Sequence, residues 1–175
     1  SCLVGSEMCI RDRRFSMDHG HRAVNDEQGV AMKTVAQLLN AKADQQVYTI
    51  APDALVIDAL RLMAEKNLGG LPVVEANRLV GFFSERDYAR RLALKGRNSE
   101  STPISAVMTA PVITVDTHLS VDKCMGIMTE RHLRHLPVVE NGELLGLLSI
   151  GDLVKAAIAE QAELIQQLEQ YIRGE

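Results

Sequence analysis

The chain has 175 residues, and its 19 lysines and arginines against 23 aspartates and glutamates give a formal net charge of −4. This mild acidity argues against a general nucleic-acid binder, which needs a strongly basic face. The three cysteines lack C-x-x-C spacing and argue against a disulfide framework or a thiolate zinc site. The sequence has no apolar run of about 18 residues, so we expect neither a membrane span nor a membrane partner. We predict a cytoplasmic globular protein.

The first 31 residues show no sustained hydrophobic period, and the stretch that begins at Met32 resembles a natural start. We expect a disordered tail here. Residues 1–13 resemble translated sequencing-adapter sequence, so we expect this part to be artefactual and without function.

From Met32 onward the chain repeats itself with a shift of 65 residues. Residues 71–75 and 136–140 both read Leu-Pro-Val-Val-Glu, and 14 of the 45 positions in 48–92 are identical to their counterparts. Self-similarity of this kind indicates two copies of one supersecondary unit. The predicted divisions are a tail at 1–31, a first domain at 32–95, a connector at 96–111, a second domain at 112–159 and a helical extension at 160–175.

Each repeat predicts the same order of elements, strand, helix, strand, strand, helix. A solid apolar run in each repeat predicts a buried strand, and the polar pair that follows predicts a hairpin turn. The predicted strands are 48–50, 71–74 and 79–83, then 112–115, 136–139 and 144–148; the predicted helices are 54–63, 85–94, 119–128 and 150 to about 173. We predict an α/β fold of two tandem β-α-β-β-α repeats, stacked sheet to sheet with pseudo-two-fold symmetry around one shared core.

Each repeat carries the motif Gly-x-x-Ser-x-x-Asp where its last strand meets its last helix, at 81–87 and at 146–152. One interpretation is a helix capping box, which contributes about 1 kcal/mol. The other is a nucleotide site, because a helix N-terminus attracts phosphate and an aspartate can accept two hydrogen bonds from the cis-diol of a ribose. Both interpretations use the same residues.

These residues together resemble the CBS domain, the module named after cystathionine β-synthase, and residues 32 to about 159 resemble a tandem CBS pair. The resemblance rests on the two Leu-Pro-Val-Val runs, the two Gly-x-x-Ser-x-x-Asp motifs and the Val-Met-Thr at 107–109. It implies an adenosyl ligand in the cleft between the repeats, with AMP first, and ADP, ATP, NAD(H) or S-adenosylmethionine as the others. No metal is implied.

The resemblance also implies which residues contact the ligand. Asp87 and Asp152 would hold the ribose hydroxyls and Ser84 and Ser149 the phosphates. The backbone around Thr49 and Thr114 would meet the adenine edge. The full predicted set is Thr49, Leu71, Pro72, Ser84, Arg86, Asp87, Thr114, Arg134, His135, Leu136, Pro137, Ser149, Ile150, Gly151 and Asp152.

The two repeats differ in their basic residues. Arg134 and His135 resemble the phosphate partners of similar pairs, whereas the first repeat has Gly69 and Gly70 at the corresponding positions. The two pockets are therefore expected to differ in phosphate contacts. His132 and His135 are three residues apart but lack a third ligand at suitable spacing, so we expect no metal site.

The motifs also differ at their sixth position. Arg86 either brings a guanidinium to the mouth of the cleft, for phosphate or a base, or pairs with Glu85 or Asp87 on a solvated helix face. Its counterpart Gly151 leaves room for backbone to approach a ligand.

The apolar stripe of the last helix continues beyond the second repeat, where Ile158, Ile165 and Ile172 are seven residues apart. It either packs on its own repeat or forms a contact between two chains, and a homodimer is the simpler account.

The leading functional hypothesis is a non-catalytic adenine-nucleotide sensor that acts on a partner protein. The alternative is a structural dimerisation scaffold with weak or no ligand binding. An enzyme is disfavoured because the motif residues suit binding and no activated nucleophile is recognisable.

Overall fold

The computed structural model describes residues 32–174, so the predicted tail at 1–31 lies outside the described residues. The helices and strands are α1 Val35–Ala41, α2 Val56–Lys66, β1 Gly70–Glu75, β2 Arg78–Ser84, α3 Glu85–Asp87, α4 Val121–Arg131, β3 His135–Glu140, β4 Glu143–Ser149 and α5 Ile150–Arg173. A π-helical segment, Tyr88–Ala93, continues α3, and a 3₁₀ turn, Ile104–Ala106, lies in the connector.

Each repeat is built around an antiparallel hairpin, as predicted. β1 pairs with β2, and β3 pairs with β4 in the same register and with a bulge at the same place. The second hairpin turns through Asn141 and Gly142, whose positive φ angles of 53° and 81° suit these residue types. The strands predicted at 48–50 and 112–115 are reduced to single parallel bridges, Ile50 with Val73 and Val115 with Val138.

The buried residues form two clusters, so the prediction of one shared core is wrong. One cluster contains Val56, Ala59, Met63, Leu71, Val73, Phe83, Leu92, Ile104 and Val107. The other contains Val35, Val115, Val121, Cys124, Met128, Leu136, Val138, Leu148, Leu153 and Ala156. Each repeat has its own hairpin and helix to bury, and each completes its core with a segment from outside the repeat.

The segments that complete the two cores are exchanged between the repeats. Val35 of α1 precedes the first repeat but packs in the core of the second, while Ile104 and Val107 of the connector pack in the core of the first. The Val35 amide donates to the Leu119 carbonyl at 2.9 Å. The first core is therefore completed by the connector and the second core by α1. The predicted domain boundaries stay predictions.

The glycine that opens each motif has a packing role. A Cβ on Gly146 would lie 2.7 Å from Cδ2 of Leu39, which lies in α1, and a Cβ on Gly81 would collide with Sδ of Met108 in the connector. Only glycine lets these exchanged segments approach the hairpins so closely. The glycines thus hold the exchanged segments against the strands that carry the two motifs.

α5 extends far past the core that it covers. Leu153 and Ala156 are its buried residues, and every residue from 161 to 174 is exposed. Among residues 32–174, no helix combines the length and the apolar character needed to cross a membrane.

Candidate functional site

Both motifs form capping boxes. In the first, the Ser84 hydroxyl accepts from the Asp87 amide at 3.3 Å, and the Asp87 carboxylate accepts from the Ser84 amide at 2.9 Å. In the second, the corresponding distances between Ser149 and Asp152 are 3.2 and 2.8 Å. The capping interpretation is therefore confirmed, and both aspartates are held at the start of their helices.

A cavity of about 270 Å³ opens beside the first motif, and we call it the Asp87 cavity. Residues of both repeats and of the connector line it. They are Gly69, Phe82, Ser84, Glu85, Arg86, Asp87, Thr109, Pro111, Val112, Ile113, His132, Leu133, Arg134, His135 and Pro137. The site is composite, because the first motif faces the basic pair of the second repeat.

Asp87 is the buried acid of this cavity, with 8% of its surface exposed. One carboxylate oxygen accepts from the Thr109 hydroxyl at 2.8 Å, and the other accepts from the Ser84 hydroxyl at 2.9 Å. Arg91 Nε lies 3.8 Å from the first oxygen. Each carboxylate oxygen therefore accepts a hydrogen bond from a hydroxyl group, and the two hydroxyl groups of a vicinal diol could donate the same two hydrogen bonds.

Arg86 reaches across the cavity mouth. Its Nη1 donates to the carbonyl of His132 at 2.9 Å, so the guanidinium of one repeat contacts the backbone of the other. Arg134 lines the same cavity and is exposed. Two guanidinium groups consequently lie around one opening, where they can attract an anion.

His135 begins β3 beside Phe82, with the two ring centroids 5.3 Å apart. Burial lowers the pKa of the His135 imidazole below its ordinary value; Asp152 opposes this shift, while Arg134 and Lys42 reinforce it. The ring is therefore held neutral in the folded protein at neutral pH.

The lowered pKa of His135 predicts a loss of stability on acidification. Between the ordinary value of about 6.5 and the lower folded value, the unfolded chain binds the extra proton, so the free energy of unfolding falls as pH falls. Urea unfolding at about pH 7.5 and about pH 5.5 should show a larger loss for wild type than for His135→Gln. His118→Gln, at an exposed position, is the control. Equal losses in wild type and His135→Gln would contradict the prediction.

Apolar residues form one wall of the Asp87 cavity. Pro111 ends the connector, and Val112, Ile113, Leu133 and Pro137 come from the second repeat. The predicted set included Pro137 but none of 109–113, although the Val-Met-Thr at 107–109 marked this segment. Thr109 is held here by backbone hydrogen bonds with Phe82 in both directions, at 2.9 and 2.8 Å.

Several residues of the predicted set lie elsewhere. Leu71 and Leu136 have no exposed surface, so their side chains belong to the two cores. The Pro72 carbonyl accepts from the Ile50 amide, and the Ile150 amide donates to the Arg134 carbonyl. Lys42 lines two further cavities. The members of the predicted set that line neither these cavities nor the Asp87 cavity are Thr49, Leu71, Pro72, Thr114, Leu136, Ser149, Ile150 and Gly151.

The second motif has a different surrounding, because a lysine contacts its acid. Lys42 Nζ lies 3.0 Å from an Asp152 carboxylate oxygen and also donates to the Leu147 carbonyl at 3.0 Å. Burial raises the pKa of the Asp152 carboxyl, but hydrogen bonds from Ser149 and Lys42 outweigh it, so the pKa lies below its ordinary value. Lys42 was not in the predicted set.

Two cavities meet at Lys42. One of about 320 Å³ also contacts 44–48 and 145–147. The other, of about 900 Å³, is lined by Asp152 and by four lysines, Lys33, Lys42, Lys66 and Lys155. By the 65-residue shift, residues 44–48 correspond to residues 109–113. The cavity of about 320 Å³ is therefore the second repeat's counterpart of the Asp87 cavity.

The family is identified by comparison with known proteins. The CBS domain family model matches residues 36–94 and again residues 104–159. The chain therefore belongs to the CBS domain family, as a tandem pair, and the resemblance and the predicted α/β fold of two repeats are confirmed.

Individual relatives share this organisation. CBS domain-containing protein CBSX3, mitochondrial, from Arabidopsis thaliana is 36% identical over 157 residues, which cover 85% of this chain and 76% of that protein. The structure of a protein with CBS domains from Burkholderia ambifaria is 49% identical, with a TM-score of 0.71, and the match covers 74% of this chain and 96% of that chain. The structure of CBSX2 in complex with AMP is 30% identical, with a TM-score of 0.62, over 73% of this chain and 98% of that chain.

Proposed function

We propose that the protein is a non-catalytic sensor that binds an adenine nucleotide, AMP first, in the Asp87 cavity and thereby regulates a partner protein. The observation that carries the proposal is the composite lining of this cavity. Asp87 comes from the first repeat and Arg134 and His135 come from the second, so a ligand bound between them contacts both repeats. A ligand that favours one arrangement of the repeats shifts the population toward it.

The ribose is assigned to Asp87. Its two oxygens already accept hydroxyl donors from Ser84 and Thr109 at 2.9 and 2.8 Å, and a cis-diol can take their place without changing the charge of the site. The Ser84 and Thr109 hydroxyls are then free to turn toward other ligand atoms.

The phosphate is assigned to the basic residues at the mouth. Arg86 and Arg134 supply guanidinium donors, and His135 lies beside them. An approaching dianion favours the protonated imidazole, so His135 can gain a proton as the phosphate binds. This side of the cavity distinguishes a nucleotide from an uncharged nucleoside.

The adenine is assigned to the apolar wall of Pro111, Val112, Ile113 and Leu133. Backbone groups of residues 111–113 offer donors and acceptors to the base edge, and the apolar side chains cover its faces. The volume of about 270 Å³ is close to the lower end, about 300 Å³, of small-molecule sites.

Membership of the CBS family supports a regulatory binding role over catalysis, and the AMP complex of CBSX2 supports an adenosyl ligand. ATP, NAD(H) and S-adenosylmethionine belong to the same proposal as further ligands. A scaffold with weak or no ligand binding is the alternative, favoured by the exposed apolar stripe of α5. A cytoplasmic location stays a prediction from the sequence.

We also propose a homodimer, formed through the projecting part of α5. Its large exposed apolar side chains are Ile158, Leu164, Ile165, Leu168, Tyr171 and Ile172. A stripe of this length on a helix that leaves the fold suits a second copy of the same helix.

Calorimetric titration of the full chain tests the ligand proposal. AMP is expected to bind, and 2′-deoxy-AMP, which lacks the diol, is expected to bind at least about tenfold more weakly because one hydrogen bond to a charged group is lost. Adenosine, which lacks the phosphate, should also be weakened. ATP, NADH and S-adenosylmethionine are titrated alongside. Absence of heat with all of them would overturn the proposal in favour of the scaffold.

A further inference from the structure

The two motif acids are partnered by different chemistry. Asp87 accepts hydrogen bonds from the neutral hydroxyls of Ser84 and Thr109, and its cationic neighbour Arg91 lies farther away, at 3.8 Å. Asp152 instead accepts directly from the ammonium of Lys42 at 3.0 Å. The side chains of Lys42 and Asp152 are only 31% and 20% exposed, so this ion pair is partly shielded from water.

The position of Lys42 follows from a difference between the exchanged segments. In the first repeat Thr109 forms two backbone hydrogen bonds with Phe82 of β2. The shift of 65 relates Thr109 to Asp44 and Phe82 to Leu147, yet the Leu147 carbonyl accepts from Lys42 Nζ instead. Lys42 therefore connects β4 to Asp152 and lies where a diol would have to approach this carboxylate.

A diol cannot replace Lys42 as it can replace Thr109. Removing a hydroxyl donor from Asp87 for a ligand hydroxyl leaves the charges unchanged. Removing the ammonium from Asp152 separates a partly buried ion pair and leaves a carboxylate with a neutral donor, which is unfavourable. The apparent affinity of such a site falls by the fraction of molecules in which it is open.

We propose that Lys42 occupies the diol position at Asp152, which we call the second site. There Lys42 neutralises the Asp152 carboxylate, so the Asp87 cavity is the first to bind a ligand. This proposal rests on the proposed function. It adds that one residue, Lys42, causes the difference in ligand affinity between the two sites. Release of Lys42 converts the second repeat into a diol-binding site of the same kind.

The test is AMP titration of Lys42→Met, with Lys123→Met, at an exposed position in α4, as the matched control. Loss of a hydrogen bond between charged groups predicts that the second-site Kd falls roughly tenfold to a hundredfold in Lys42→Met. The added site should disappear in Lys42→Met/Asp152→Ala. Thermal melting of each variant reports whether it is folded.

The same titration in an Asp87→Asn background isolates the second site. AMP binding that appears only when Lys42→Met is added supports the inference, even if wild type binds no AMP and the proposed function of the Asp87 cavity fails. A folded Lys42→Met variant that gains no Asp152-dependent site overturns it. So does a wild type that binds AMP equally at both sites and loses one with Asp152→Ala.

Discussion

Replacement of Asp87 by alanine is expected to weaken AMP binding by about a hundredfold or more. The reason is that two hydrogen bonds from the ribose to a carboxylate are lost, each contributing about 1.5–3 kcal/mol. The loss of affinity is expected at the Asp87 cavity. The buried Asp87 carboxylate accepts hydrogen bonds from two hydroxyl groups, at the places where the ribose diol would bind. Calorimetric titration of wild type and variant gives the two Kd values.

The substitution also removes one capping box, so a matched control is needed. Asp152→Ala removes the equivalent capping box at α5 and the carboxylate that pairs with Lys42. Asp152 does not line the Asp87 cavity. Each variant should lose about 1 kcal/mol of stability or more, because a cap and a partly buried hydrogen-bonded group are lost. Only Asp87→Ala should lose the tight AMP site. A folded Asp87→Ala protein with wild-type affinity would show that this carboxylate does not bind the ligand.

The hairpins could be predicted because their signals are local. An apolar run, a polar turn and a second run encode one hairpin, and the 65-residue repeat shows that the chain does this twice. The exchange of α1 and the connector between the cores is not encoded in this way. Val35 and Ile104 are apolar in either arrangement, and only the relative position of the repeats decides which core they enter.

The candidate site likewise combines residues that the sequence indicates with an arrangement that it does not. Ser84, Asp87, Arg134 and His135 carry chemistry that is visible in the sequence, but their convergence on one cavity follows from the packing of the repeats. Lys42 has no motif around it. Its ion pair with Asp152 depends on how the segment before the first repeat packs against β4, which no local pattern predicts.

The exposed end of α5 is expected to be only marginally stable by itself, and contact with a second chain would stabilise it. Residues 161–174 are all exposed, and an isolated helix of this length is marginal in water. Lys33 and Glu163 form an ion pair at 3.3 Å, which contributes little at such exposed positions. Ile165, Leu168 and Ile172 remain 57%, 53% and 81% exposed. Burial against a symmetric copy would stabilise both the stripe and the helix.

Two glutamates placed in this stripe are therefore expected to convert the dimer into a monomer. Ile165→Glu/Leu168→Glu introduces charges that, in a two-fold contact, occur twice each and cannot be buried without partners. Light scattering should show the molar mass of wild type falling by about half in the variant. Gln170→Glu adds one charge on the opposite face of the helix and should leave the mass unchanged. A wild type that already has the monomer mass, or a double variant that retains the dimer mass, would show that α5 does not join two chains.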